Sequence, residues 1–200
     1  MVVTFKAGGP IPADGAYSRR GFLGEAFKLI AQEAAGLLAD RMAPRRHFRP
    51  PGALPEAAFL AACTRCGYCV EACPVDAIVT APTNAGLAAG TPAIEPMKQP
   101  CVACEGMFCA AVCPTGALVP PLDGWASEKI GTLALDAERC IAFQGIECGV
   151  CARVCPIGPE ALDLDLKGRP VIGDGCVGCG VCARACVTSP SSLLLTIPGY

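Results

Sequence analysis

The chain has 200 residues and a net charge of −2, and sets 16 Cys, 23 Gly and 19 Pro against an aromatic content of only 6%. These proportions exclude an ordinary hydrophobic core as the sole source of stability. They fit a loop-rich chain folded around bound groups, because metal binding supplies folding free energy that a thin core cannot. Charge is uneven, +4 over residues 1–50 and −6 over residues 51–200, and no stretch resembles a spanning helix of roughly 20 apolar residues.

From the N-terminus, Ser18-Arg19-Arg20-Gly21-Phe22-Leu23 looks like a twin-arginine export signal. Such a signal needs an apolar segment of about 7–15 residues after the arginines, and here Glu25, Lys28, Glu33, Asp40 and Arg41 interrupt it. The spacing of Leu23, Phe27, Ile30, Ala34, Leu37 and Leu38 instead predicts an amphipathic helix. Residues 1–50 therefore form a basic arm, expected on a cytoplasmic protein, with its helix on the body, a partner or a membrane surface. Periplasmic export is the alternative. The basic run Arg41, Arg45, Arg46 and Arg49 is short and has no interleaved aromatic beyond Phe48, so nucleic acid is not an expected ligand. His47, the only histidine, reads as solvated. Arg49-Pro50-Pro51-Gly52 reads as a stiff linker that closes the arm, and Pro55–Ala62 as a short helix leading to the first cysteine.

All 16 cysteines then fall into four sets. Set one is Cys63, Cys66, Cys69 and Cys73, followed by Pro74, and set two is Cys101, Cys104, Cys109 and Cys113, followed by Pro114. Set three is Cys140, Cys148, Cys151 and Cys155, followed by Pro156, and set four is Cys176, Cys179, Cys182 and Cys186, followed by Val187. The run C-x2-C-x2-C-x3-C is an iron–sulfur ligand pattern in which the fourth cysteine serves a second cluster. A zinc ribbon has no such offset fourth thiol, and a disulfide scaffold suits a short secreted chain. Four sets of four thiolates predict four [4Fe–4S] clusters.

Short strand-like runs flank the sets: Ala77–Thr80, Ala117–Val119, Thr132–Leu135, Leu162–Leu166, Arg169–Ile172 and Leu193–Ile197. Each unit reads as strand, cysteine loop, short helix, strand. The expected class is α+β: two bacterial-ferredoxin-like dicluster modules, loop-rich, in residues 51–200. Adjacent pairing (one with two, three with four) and nested pairing are both open. Sets one and four share one spacing, whereas two and three carry insertions, which favours nesting: an outer module of about 57–96 plus 168–200 and an inner one of about 97–167. On that expectation cluster A takes Cys63, Cys66, Cys69 and Cys186, and cluster B takes Cys101, Cys104, Cys109 and Cys155. Cluster C takes Cys140, Cys148, Cys151 and Cys113, and cluster D takes Cys176, Cys179, Cys182 and Cys73. Gly67, Gly149, Gly178 and Gly180 would let backbone amides approach cluster sulfurs, and Tyr68, Phe108 and Phe143 would exclude water. Trp125 supports no inference.

The arm motif Ser18–Leu23, Arg49-Pro-Pro-Gly-Ala53, Ala89-Gly-Thr-Pro92, Cys113-Pro-Thr-Gly-Ala-Leu118 and Cys140-Ile-Ala-Phe-Gln-Gly-Ile-Glu-Cys148 carry a resemblance to a known family. It is the NapG/MauM group of ferredoxin-type proteins from periplasmic nitrate reductase and methylamine-utilisation operons. The resemblance implies four [4Fe–4S] clusters, nested pairing, and electron relay from a membrane quinol-oxidising partner towards a terminal reductase. No catalytic acid, base or nucleotide loop is in view, so the chain reads as an electron carrier subunit whose donor and acceptor are redox proteins. A maturation protein delivering clusters to an enzyme is the alternative.

Overall fold

The computed structural model describes residues 46–198, which belong to the unit Ala39–Tyr200. The amphipathic helix and the twin-arginine motif lie outside the described residues. Among those described, no helix is long and apolar enough to cross a membrane.

Among the described residues five α-helices and six strands occur, in the order α1 (Glu56–Ala62), α2 (Tyr68–Glu71), β1 (Ile78–Thr80), β2 (Pro92–Ile94), α3 (Phe108–Ala111), β3 (Thr132–Leu135), α4 (Val150–Arg153), β4 (Leu162–Leu164), β5 (Pro170–Ile172), α5 (Val181–Arg184) and β6 (Leu193–Thr196). Each of α2 to α5 is four residues long because a cysteine loop enters it and a cysteine turn leaves it. The strands make three antiparallel pairs: β1 with β2, β4 with β5, and β3 with β6.

The strand pairing contradicts nesting. β3 precedes set three and β6 follows set four, so their ladder, Thr132↔Thr196 through Leu135↔Leu193, closes one module around sets three and four. Within it β4–β5 forms the inner hairpin, and α4 packs against α5. Sets one and two repeat this plan, with β1–β2 inside and the bridge Ala53↔Leu118 outside. Helices α2 and α3 pack together. The modules are thus consecutive, and the expected outer and inner modules do not exist.

The Arg49–Gly52 segment is part of this body. Phe48 bridges Ile94, and Arg49 is fully buried. Its guanidinium donates to both carboxylate oxygens of Glu56 (2.5 and 3.1 Å), to Thr91 Oγ1 (2.9 Å) and to the Pro92 carbonyl (2.8 Å). It also lies 4.6 Å from the Phe59 ring centroid. One side chain therefore ties the entry segment to α1 and β2.

One core spans both modules. Phe59, Ile78, Ile94 and Leu118 of the first share it with Ile130, Val177 and Cys179 of the second. The connecting segment is fixed at several points. The Gly52 N–H donates to Glu128 Oε2 (2.9 Å), the Ile130 N–H to the Val177 carbonyl (2.8 Å), and Lys129 Nζ to the Asp174 carbonyl (2.8 Å). A smaller core, with Leu162, Cys182, Ala183 and Leu193, lies within the second module.

Candidate cluster-binding pockets

Each of α2 to α5 carries the third cysteine of its set at its second position: Cys69, Cys109, Cys151 and Cys182. The fourth cysteine comes four residues later, past the helix end. Each of these helices is entered from a left-handed residue, Gly67, Met107, Gly149 or Gly180. That conformation turns the chain sharply enough to put the second and third cysteines on one cavity.

Four cavities result, each lined by four thiols. Cys63, Cys66, Cys69 and Cys113 line the first. Cys73, Cys101, Cys104 and Cys109 line the second. Cys140, Cys148, Cys151 and Cys186 line the third, and Cys155, Cys176, Cys179 and Cys182 the fourth. The expected trios are all brought together. The expected fourth members are not: Cys113 stands in the first cavity instead of Cys186, and Cys73 in the second instead of Cys155. Cys186 stands in the third instead of Cys113, and Cys155 in the fourth instead of Cys73. The physical reason is reach, because the turn after each helix is held within its own module by that module's strand ladder.

The donor set fits a cubane. Four thiols line each cavity, and four cysteine thiolates are the ligand set of such a cluster. Burial pushes the Cys69 thiol up to about 11, with Cys63 and Cys66 adding to the effect. Burial likewise pushes Cys101, Cys109 and Cys182 to about 12, and neighbouring thiols again add to it. Iron bound among these buried thiols would supply the cation that offsets their mutual repulsion and would deprotonate them outright.

The fourth cysteines are held differently. The Ala77 N–H donates to the Cys73 sulfur (3.2 Å) and the Leu118 N–H to that of Cys113 (3.5 Å). The Thr188 and Ser192 hydroxyls lie 3.2 and 3.3 Å from the Cys186 sulfur. Burial acts to raise Cys186, but these hydrogen bonds outweigh it and the thiol falls to about 6. Hydrogen bonds to cluster sulfurs tune reduction potential, and Thr115, 3.7 Å from Cys113, Thr188 and Ser192 stand where they would do so, which the sequence did not single out. Their signal was present as Cys113-Pro-Thr115 and Cys186-Val-Thr188.

Two expectations about aromatics change. Tyr68 lines the set-one pocket while staying 53% exposed, whereas Phe108 and Phe143, 50% and 39% exposed, line none of the four. Trp125 has a role: its Nε1–H donates to the Cys104 carbonyl (3.0 Å), and its ring packs on the shared core. Not every left-handed residue is glycine, since Ala103 has φ 49°. A left-handed residue bearing a Cβ costs about 1–2 kcal/mol, and glycine's extra freedom when unfolded offsets part of any gain. Ala103→Gly is therefore expected to stabilise the protein by up to about 1 kcal/mol in thermal melts, and a loss of stability would contradict the strain.

These pockets and the paired half-units define a class, the iron–sulfur protein built from dicluster domains. The family described as "4Fe-4S dicluster domain" matches residues 62–117 and again 100–159. The chain is a ferredoxin-type protein homologous to NapG and MauM. It is 47% identical over 120 residues to "Ferredoxin-type protein NapG" of Escherichia coli (strain K12), covering 60% of this chain and 52% of that protein. It is 41% identical over 145 residues to "Methylamine utilization ferredoxin-type protein MauM" of Methylorubrum extorquens, covering 68% and 66%. With the MauM of Paracoccus denitrificans it shares 41% over 131 residues, covering 64% and 58%. The chain thus spans about half the length of the NapG protein it matches.

Proposed function

We propose that the chain is an electron-transfer polyferredoxin with four [4Fe–4S] clusters, serving a redox complex as a carrier and leaving catalysis to its partners. The observation that carries this reading is the division of all 16 cysteines into four cavities of four thiols each. The ligand groups are those of the four cavities. A cluster bound there takes up and returns a single electron.

The chain's own residues set the conditions for that exchange. Cys69, Cys101, Cys109, Cys140, Cys179 and Cys182 are buried, which keeps water from the thiolates. Backbone and hydroxyl hydrogen bonds fix the fourth cysteine of sets one, two and four. Partners of the proposed type are one-electron redox proteins; a quinone-linked membrane protein as donor follows from the NapG/MauM resemblance.

Anaerobically purified protein is expected to hold about 16 iron and about 16 acid-labile sulfide per chain, four of each per cubane. Cys186→Ala should remove or degrade the centre held by Cys140, Cys148 and Cys151, with the set-one spectrum unchanged. Zinc without sulfide would end the reading, and damage to the set-one centre would restore the nested grouping.

A further inference from the structure

The four pockets do not follow one another in space as they do in sequence. Set two lies beside its module partner, set one, because Cys113 and Cys73 cross between them. Set three lies beside set four through Cys155 and Cys186. What joins the modules is less obvious, since set three follows set two along the chain.

The shared core answers this. The cluster holds Cys101 and Cys109 of the set-two pocket and Cys69 of the set-one pocket together with Cys179 and Val177 of the set-four pocket. Ile157 and Val181, which belong to set four's surroundings, pack against the same cluster. A Cβ placed on Gly180 would sit 3.6 Å from the Cα of Pro96, just upstream of set two. Ile94, which lines the set-two pocket, bridges Phe48, and a Cβ placed on Gly131 would stand 3.1 Å from the Phe48 ring and 2.9 Å from the carbonyl oxygen of Gly178 in the set-four pocket. The set-three pocket has no such link: its lining runs through Ile141, Val150, Pro170 and Val187, and none of these joins the shared core.

We infer that the approach of the set-two and set-four pockets across the shared core is the electronic junction of the two modules, so that the four pockets form a row in the order set one, set two, set four, set three. The inference rests on the electron-transfer reading above and adds the order. One electron crosses the junction with no proton or atom moved: the module it leaves is oxidised by one electron and the module it reaches is reduced by one. The reductant and the oxidant outside the protein are one-electron redox proteins, and they meet the row at the set-one and set-three ends. Cys66 in the set-one pocket is the one exposed cysteine of the 16, and Val187 in the set-three pocket is 58% exposed.

The test is electron paramagnetic resonance of the fully reduced holoprotein, in which neighbouring reduced centres split or broaden one another's signals. Cys176→Ala/Cys182→Ala is expected to collapse the part of the set-two splitting that crosses between modules. Cys148→Ala/Cys151→Ala should leave the set-two signal unchanged. The reverse pattern, with set-three loss altering set two and set-four loss silent, overturns the inference. Should the first variant fail to fold, Cys176→Ser retains a donor atom in the pocket. It is expected to shift the set-four signal and, through the splitting, the set-two signal; a set-two signal indifferent to it overturns the order. Unmodified protein without iron and sulfide would overturn the electron-transfer reading and this inference with it. Full cluster content with the reverse coupling would overturn the inference alone.

Discussion

Arg49→Ala is expected to destabilise the protein by about 3–5 kcal/mol, the loss typical when one partner of a buried ion pair is removed. The guanidinium is fully buried and its hydrogen bonds reach Glu56, Thr91 and Pro92. Truncation takes the cation from a buried carboxylate, withdraws a donor from the Pro92 carbonyl, and opens a void against Phe59. At roughly 2–4 °C per kcal/mol for a chain of this size, the melting temperature should fall by roughly 6–20 °C. Replacing both partners with apolar residues, Arg49→Met/Glu56→Leu, should recover most of the loss, because the pair's attraction barely exceeds its desolvation penalty. A single-variant loss below about 1 kcal/mol, the scale of a surface ion pair, would show that Arg49 is not held as described.

Gly178→Ala should be as damaging, for a backbone reason. Gly178 has φ 65°, and a Cβ there would penetrate the carbonyl of Gly131 and stand 2.6 Å from that residue's Cα. No side chain can swing away, since the obstacle is backbone held by hydrogen bonds from Ile130 and Gly131 to the Val177 carbonyl. The left-handed conformation alone costs alanine about 1–2 kcal/mol, and prying the two segments apart adds a penalty on the order of 1–3 kcal/mol. Because Gly178 stands between Cys176 and Cys179, the effect should read out twice, as a lower melting temperature and as iron lost from the set-four pocket. Gly67→Ala is the control. Its φ of 85° is equally left-handed, yet nothing lies within 4 Å of the added Cβ, so it should cost only the conformational part.

The sequence made the cysteine trios, α1, β1, β3 and β5 legible, since each is a local pattern. It left β2 hidden: Pro92-Ala93-Ile94 is buried at all three positions and shows no alternation. It also misdirected the pairing. Equal spacing in sets one and four suggested partnership, but the insertions at 105–108 and 141–147 only lengthen loops between cysteines. Partnership depends on which strand ladder closes around which sets, a long-range property. The better local clue was the residue two beyond the fourth cysteine: Val75 and Ile157 after sets one and three, Thr115 and Thr188 after sets two and four. First halves resemble first halves, and second halves resemble second halves. Arg49 was hidden for the opposite reason, because its Pro-Pro-Gly neighbours imitate a linker while its partners Thr91 and Pro92 lie some 40 residues away.

Closure of the first module by Ala53↔Leu118 bears on how the chain is made. A nested protein could not finish its first pocket until residue 186 had left the ribosome, and Cys63, Cys66 and Cys69 would wait with their fourth ligand unsynthesised. Here Cys113 completes that pocket while the second half of the chain has yet to be translated, and domains generally fold in that order during synthesis. The equilibrium gain is slight, because shortening a closed loop by about half changes its entropy by only about 0.6 kcal/mol. The benefit is in time: eight reactive thiols can be sequestered early, before a second set of eight emerges to compete for the same iron and sulfide.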